Sequence, residues 1–279
     1  MKAITSYLFT EYRCVKEAHW LRKLLALFVV YKSLYWIMDY QLLFSPQSIV
    51  YSSTINLEIW RLPVFLLYNA QSSALNMIYL TITLAAGLYI LFFKAYLRAI
   101  FFILWFTVSN INNLVFCSLS AGEYLFQHLL FFCIILSNNI EKRNPVAVEL
   151  DKAFNNAGVL AIQIQVCLVY FLAGYTKLLD ADWLNGTAVN DVFRIHHYSM
   201  PFLYESNSAF GKELNFLIIG YQLLFPILVW FKSIKKWYLL IGILQHLFIA
   251  FVMGLPSFGF IMIVSYAIFY VPGCKIKNS

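Results

Sequence analysis

LNMIYLTITLAAGLYILFFKAYLRAIFFILWFTV, residues 75–108, decides the fold class. Two apolar runs stand here on either side of a short connection that carries Lys94 and Arg98. Each run is too long for a strand and apolar on every side, as a helix is when it lies in hydrocarbon rather than on a soluble core. Outward from this pair the pattern repeats. Apolar runs occupy 20–40, 75–93, 98–119, 124–139, 157–179, 214–231, 237–254 and 256–272. The whole chain agrees: of 279 residues 62% are hydrophobic and 12% charged, against roughly 25% charged in a soluble domain. The expectation is an all-α polytopic membrane bundle of about eight transmembrane helices, a single domain over 1–279 with no internal repeat or linker.

Basic residues set the orientation. Lys2, Arg13, Lys16, Arg22 and Lys23 precede the first run, Lys94 and Arg98 join the second to the third, and Lys142, Arg143 and Lys152 join the fourth to the fifth. Lys232, Lys235 and Lys236 join the sixth to the seventh, and Lys275 and Lys277 follow the eighth. Only Arg61, Arg194 and Lys212 fall in the alternate connections, so both termini are expected in the cytosol. The long connections 41–74 and 180–213 are then external, and INLEIWRLPVFLLYNA (55–70) reads as an interfacial helix. The first 19 residues show no apolar core followed by a cleavage site, and no signal peptide is expected. The net charge of +7 comes without a basic run interleaved with aromatics, so nucleic acid is not the expected partner. Cys14, Cys117, Cys133, Cys167 and Cys274 form no CxxC and no metal-type spacing, so neither a disulfide nor a redox dithiol is expected.

Ionisable groups in spans are costly and mark partners, pathways or sites. Gln163, Tyr170, Gly174 and Lys177 recur on one helical face, with Lys177 near the outer end of its span. A lysine desolvated there is a candidate base, and a lysine snorkelling to the interface or pairing with Asp180 or Asp182 is the alternative. His128 and His246 are expected at similar depth, with Ser109, Asn110, Asn112, Asn113, Gln127 and Gln245 in the same layer. This layer reads either as an outward-facing polar cavity or as interhelical hydrogen bonds. Lys32 needs a partner in mid-span, for which Glu123 and Asp39 are the acidic candidates. A metal held by His128, His246 and Glu123 is not expected, because no pair has helical i, i+4 spacing.

The segment VYFLAGYTKLLDADWLNGTAV (169–189) resembles the signature of the HTTM family, the transmembrane module of vitamin K-dependent gamma-glutamyl carboxylases. Ala173, Gly174, Lys177, Leu178, Asp180, Asp182 and Trp183 carry the resemblance, with one extra residue before DADW. AGEYLFQHLLFFCIIL (121–136), YQLLFPILVW (221–230) and QHLFIAFVMGLPSFGFIMIVSY (245–266) extend it, and Lys32 falls where the family tends to carry a basic residue. The layout is also similar to bacterial peptide-toxin maturation proteins of the sporulation-delaying-protein B type and, more distantly, to DoxX-like proteins. The resemblance implies Lys177 as the base, His128 as a second catalytic group, and a reduced quinone as cofactor. With His246 these form the candidate catalytic set. Asn112, Asn113, Glu123, Gln127, Asp180, Asp182, Trp183 and Lys32 are the candidate substrate-binding residues.

Two function classes follow. One is a quinone- or lipid-dependent enzyme that modifies peptides, a carboxylase-like lyase or an oxidoreductase with an external pocket. The other is a non-enzymatic subunit for maturation or export of a secreted peptide, partnered by that peptide or by a small membrane protein. Both place the chain in the lipid bilayer, with the bacterial cytoplasmic membrane as the expected location.

Overall fold

The computed structural model describes residues 2–45, 73–115, 119–137, 144–196, 200–203 and 211–270. Among these there are helices and no strand. In chain order they are α1 (Lys2–Phe9), α2 (Val15–Met38), α3 (Tyr40–Phe44), α4 (Ser73–Phe92), α5 (Leu97–Leu114), α6 (Ala121–Ile135) and α7 (Pro145–Leu178). After them come α8 (Ala181–Asn185), α9 (Ala188–Arg194), α10 (Gly211–Leu228), α11 (Lys232–Phe251), α12 (Pro256–Ser265) and α13 (Ala267–Tyr270). The described part of each expected apolar run is mainly helical, the last run, 256–272, being divided between α12 and α13. Among the described residues four stretches are long and apolar enough to cross a membrane: Ala74–Phe92, Leu97–Leu114, Pro145–Leu178 and Lys232–Phe251. Ala121–Ile135 and Pro256–Phe269 are apolar but shorter. The expected interfacial helix over 55–70 lies outside the described residues, as do Cys117, Cys274, His197 and Glu205.

α7 begins twelve residues before the apolar run expected from 157. Its 34 residues extend about 51 Å at ~1.5 Å per residue, well beyond a hydrocarbon core of about 30 Å. The added segment, PVAVELDKAFNN, is polar enough to escape a hydropathy reading yet continues the helix.

The described chain forms two compact units, one from residues before Leu160 and one from Leu160–Tyr270. In the first unit, basic side chains hold helix C-termini, whose last carbonyls lack partners within the helix and carry partial negative charge. Lys23 of α2 donates to Ile90 O and Leu91 O of α4 at 2.6 and 2.5 Å. Arg22 donates to Cys133 O, Leu136 O and Ser137 O at the end of α6, at 3.0, 2.8 and 2.7 Å. Arg98, at the start of α5, reaches Leu136 O at 3.1 Å and Ile135 O at 3.3 Å. Within this unit the beginnings of α2 and α5 therefore stand beside the ends of α4 and α6, the arrangement of helices that alternate in direction. Gly87 lets α4 lie close on α2, since a Cβ there would come within 2.8 Å of Val29 Cγ1.

The second unit is built by the C-terminal part of α7, from Leu160 onward, with α10, α11 and α12. Gly254, at φ 67, supplies the left-handed residue in the turn between α11 and α12, and Pro256 then opens α12. Gly259 brings α12 against α11, because a Cβ there would sit 2.5 Å from the carbonyl oxygen of His246.

Candidate functional site

Lys32 finds the acidic partner its position demanded. Its Nζ lies 2.9 Å from Glu123 Oε1, with the two residues 6% and 4% exposed. Glu123 also closes a capping box at the start of α6: its Oε2 accepts from Ser120 N at 2.9 Å and from the Ser120 hydroxyl. The Lys32 ammonium further stands over the rings of Trp36 and Tyr35, at 5.3 and 5.6 Å. One helical turn along α6, Gln127 accepts from Asn112 Nδ2 at 3.4 Å. Of the amides in this layer, Asn112 and Gln127 join α5 to α6, while Asn110 donates to Phe106 O within α5. Asn112 Oδ1, Ser109 Oγ and Ser33 Oγ are buried with no protein partner among the described residues. Asn113 is half-buried, and His128 lies on the exposed face of α6 with Tyr124 and Phe131.

A second polar centre in this unit escaped the sequence reading. Asp151, Asn155 and Asn156, on the polar start of α7, are buried. Asp151 Oδ1 pairs with Arg98 at 2.6 Å, and its Oδ2 accepts from the Tyr12 hydroxyl at 3.2 Å. Burial, and then the neighbouring Asp151 carboxylate, push the Tyr12 phenol above its ordinary value. Asn155 Oδ1 accepts from Ser137 N at 3.1 Å, and its Nδ2 donates to Arg13 O at 3.0 Å. Asn156 Nδ2 is shared among Tyr7 O, Leu8 O and Glu11 O at 3.1, 3.0 and 2.8 Å, while its Oδ1 accepts from Arg13 N at 2.8 Å. One amide side chain thereby fixes the end of α1 and the turn into α2. The arrangement is a lock for the N-terminal segment, with its polar groups spent on one another.

The DADW segment folds back beside Lys177 in the second unit. Asp180 caps α8, accepting from Asp182 N at 2.9 Å, and Gly186 ends α8 in the left-handed region at φ 84. This turn places the Trp183 ring 4.7 Å from Lys177 Nζ, which also donates to Ala173 O at 3.2 Å. Lys177 is half-buried, whereas Asp180 and Asp182 are exposed and among the described ion pairs neither joins Lys177. The face bearing Gln163, Tyr170 and Gly174 is turned inward, and a Cβ on Gly174 would meet Leu223 of α10 at 2.9 Å.

Two turns before Lys177 on that face lies the most concentrated polar cluster of the unit. Tyr170 of α7, Tyr221 of α10, His246 of α11 and Tyr266 after α12 bring their polar ends together. The Tyr170 hydroxyl lies 2.5 Å from His246 Nε2 and also bonds the Tyr266 hydroxyl. Tyr266 and Tyr221 hydroxyls are 3.2 Å apart, and Tyr221 donates to Tyr238 O at 3.2 Å. The Tyr238 hydroxyl returns a bond to Tyr221 O. Tyr170, Tyr266 and His246 are 2%, 2% and 3% exposed. Phe225 stacks on Tyr170 at 4.0 Å, and Phe258 stands edge-on to His246 at 5.8 Å. Gly242 makes the room: a Cβ there would collide with the hydroxyls of Tyr221 and Tyr266. His246 Nδ1 and Gln222 Oε1 are buried with no protein partner among the described residues.

Of the candidate catalytic set, Lys177 and His246 belong to the second unit and His128 to the first. Tyr221, Tyr238 and Tyr266 are not among the residues that the sequence singles out. The available signal was the glycine at 242 with tyrosines in three flanking apolar runs. Among the described residues no group of three or more His, Cys, Asp or Glu is placed to hold a metal. Searches against protein-family models, curated proteins and solved structures find no match to this chain.

Proposed function

We propose that the chain is a multi-pass membrane protein with eight spans and cytosolic termini, whose second unit binds a lipid-soluble ligand against the Tyr170–His246–Tyr266 cluster. The observation that carries this reading is the cluster itself: the hydroxyls of Tyr170 and Tyr266 and the imidazole of His246 buried among apolar helices, joined by the half-buried Tyr221, with one imidazole nitrogen lacking a protein partner among the described residues. Polar groups sealed in such surroundings cost free energy unless something pairs with them. The resemblance of 169–189 to the HTTM signature makes a reduced quinone the first ligand to seek and Lys177 the base beside it, in a carboxylase-like or oxidoreductase activity on a peptide. The test is organic extraction of the purified protein followed by mass spectrometry. A quinone or other apolar molecule retained in stoichiometric amount, and lost from a His246→Phe variant that is still folded, supports the reading. Phospholipid alone in both proteins refutes it.

A non-enzymatic role in maturation or export of a secreted peptide is the second reading. It is favoured by the engagement of Lys177 with the Trp183 ring and with Ala173 O, which suits a charged anchor. Lys177→Arg separates the two readings. Arginine keeps the cation but does not deprotonate in proteins, so retained function assigns Lys177 as an anchor and lost function at normal abundance assigns it as a base.

A further inference from the structure

The hydrogen-bond geometry of the tyrosine cluster determines which nitrogen of His246 carries its proton. Each tyrosine hydroxyl has one hydrogen to give. A backbone carbonyl can only accept, so Tyr221 gives its hydrogen to Tyr238 O. Tyr266 must then be the donor to Tyr221, and Tyr170 the donor to Tyr266. With the Tyr170 hydrogen committed, the bond between Tyr170 and His246 is made by Nε2–H. Only this arrangement satisfies all four bonds together. It leaves Nδ1 without a hydrogen, a bare lone pair on a residue that is 3% exposed and whose Nδ1 no described protein donor reaches.

The same polarity excludes a proton pathway through the cluster. A proton taken up at Nδ1 could pass along the hydroxyls as far as Tyr221, but the next group is a carbonyl with no hydrogen to hand on. The tyrosines therefore position the imidazole rather than conduct through it.

Resting on the reading of the second unit as a ligand site, we infer that His246 Nδ1 is an acceptor for a lipid-soluble ligand that presents a hydroxyl or N–H group. A ligand offering only carbonyl or ether oxygens cannot pair with it. The donor requirement comes from Tyr238 O at the far end of the chain of bonds, relayed through three hydroxyls. Phe258, edge-on to the His246 ring at 5.8 Å, supplies an apolar neighbour that suits an apolar body behind the donating group.

The test is nitrogen NMR of the full-length protein, labelled with 15N at histidine and held in detergent micelles, with His246 assigned by its loss in His246→Asn. The expected result is an Nε2–H tautomer with a bare Nδ1. Tyr266→Phe removes the acceptor of Tyr170, so Tyr170 turns its hydrogen to Nε2 and the His246 tautomer inverts, an effect that mere packing would not produce. Hexylphenol should shift the Nδ1 signal saturably, and its methyl ether should leave it unmoved. An Nδ1–H tautomer in the parent protein, an unchanged tautomer in Tyr266→Phe, or equal shifts with phenol and ether overturns the inference. If the protein binds hexylphenol saturably while His246 stays unmoved, the inference falls and the ligand-site reading stands. If hexylphenol does not bind saturably and extraction yields no ligand, both fall.

Discussion

Glu123→Gln isolates the charge of the Lys32–Glu123 pair from everything else Glu123 does. A glutamine at this position still completes the capping box with Ser120, so the start of α6 survives while the buried ammonium loses its counter-ion at 2.9 Å. Removing one partner of a buried pair costs about 3–5 kcal/mol, because the remaining charge is left uncompensated. Discharging a free lysine amine at neutral pH takes about 5 kcal/mol, which bounds the penalty from above. For a domain of 150–250 residues, each kcal/mol moves Tm by roughly 2–4 °C. The expected loss is then roughly 6–20 °C, read by intrinsic fluorescence during heating in detergent at pH 7. The double variant Lys32→Met, Glu123→Gln should recover most of it, since replacing a buried pair outright is often near neutral. Ser120→Ala, which removes only the cap, should cost about 1 kcal/mol. A Glu123→Gln protein within about 1 kcal/mol of the parent, or a double variant no better than the single, would refute the reasoning.

Other consequences are open to measurement. Reporter fusions at residues 96, 144 and 234 should all be cytosolic, the result required by eight alternating spans. Asn156→Ala removes the amide donor from Leu8 O and Glu11 O and the acceptor of the Arg13 N–H, while Tyr7 O keeps Arg13 Nε, and should cost about 2–3 kcal/mol and make residues 1–14 the first site cut in limited proteolysis. Gly242→Ala drives a methyl group into the Tyr221 and Tyr266 hydroxyls and should cost about 1–3 kcal/mol together with any retained ligand. Tyr12 has a folded-state value raised above the ordinary 10.0, so its contribution to stability is complete below pH 10 and is lost as pH rises through the higher folded value. The stability difference between the parent and Tyr12→Phe should shrink over that alkaline range, and a difference independent of pH would contradict it.

Hydropathy made the helices legible because burial in hydrocarbon acts on long runs, and each expected run lies mainly on helix where the chain is described, four of the helices being long and apolar enough to cross a membrane. The same averaging hid the polar start of α7, where Asp151, Asn155 and Asn156 are buried one by one against Arg98, Arg13 and the end of α1. Lys32 was readable as a residue in need of an acid, since a lone cation at that depth is too costly to leave unpaired. The tyrosine cluster was not readable. Tyrosine is frequent in this chain, with 19 residues, and nothing in a single span reveals that three of them, from α7, α10 and the end of α12, point their hydroxyls at one another beside His246 of α11. That convergence depends on the α11–α12 turn at Gly254 and on the space left by Gly242, both of which look like incidental glycines until the helices are packed. Lys177 shows the intermediate case: its face and depth follow from helical spacing, but its contact with Trp183 depends on the turn that Asp180 begins and Gly186 ends.

The account rests most heavily on the buried cluster of the second unit being a place where a lipid-soluble molecule binds. The direct measurement is photolabelling of the protein in lipid nanodiscs with an alkyl diazirine that bears a hydroxyl group, followed by peptide mass spectrometry. Saturable labelling of peptides containing Tyr170, His246 and Tyr266, suppressed by excess hexylphenol and absent from Gly242→Ala, is the predicted result. Labelling confined to the exposed apolar faces, such as those bearing Phe171, Leu244 and Phe251, without saturation or competition, would contradict it.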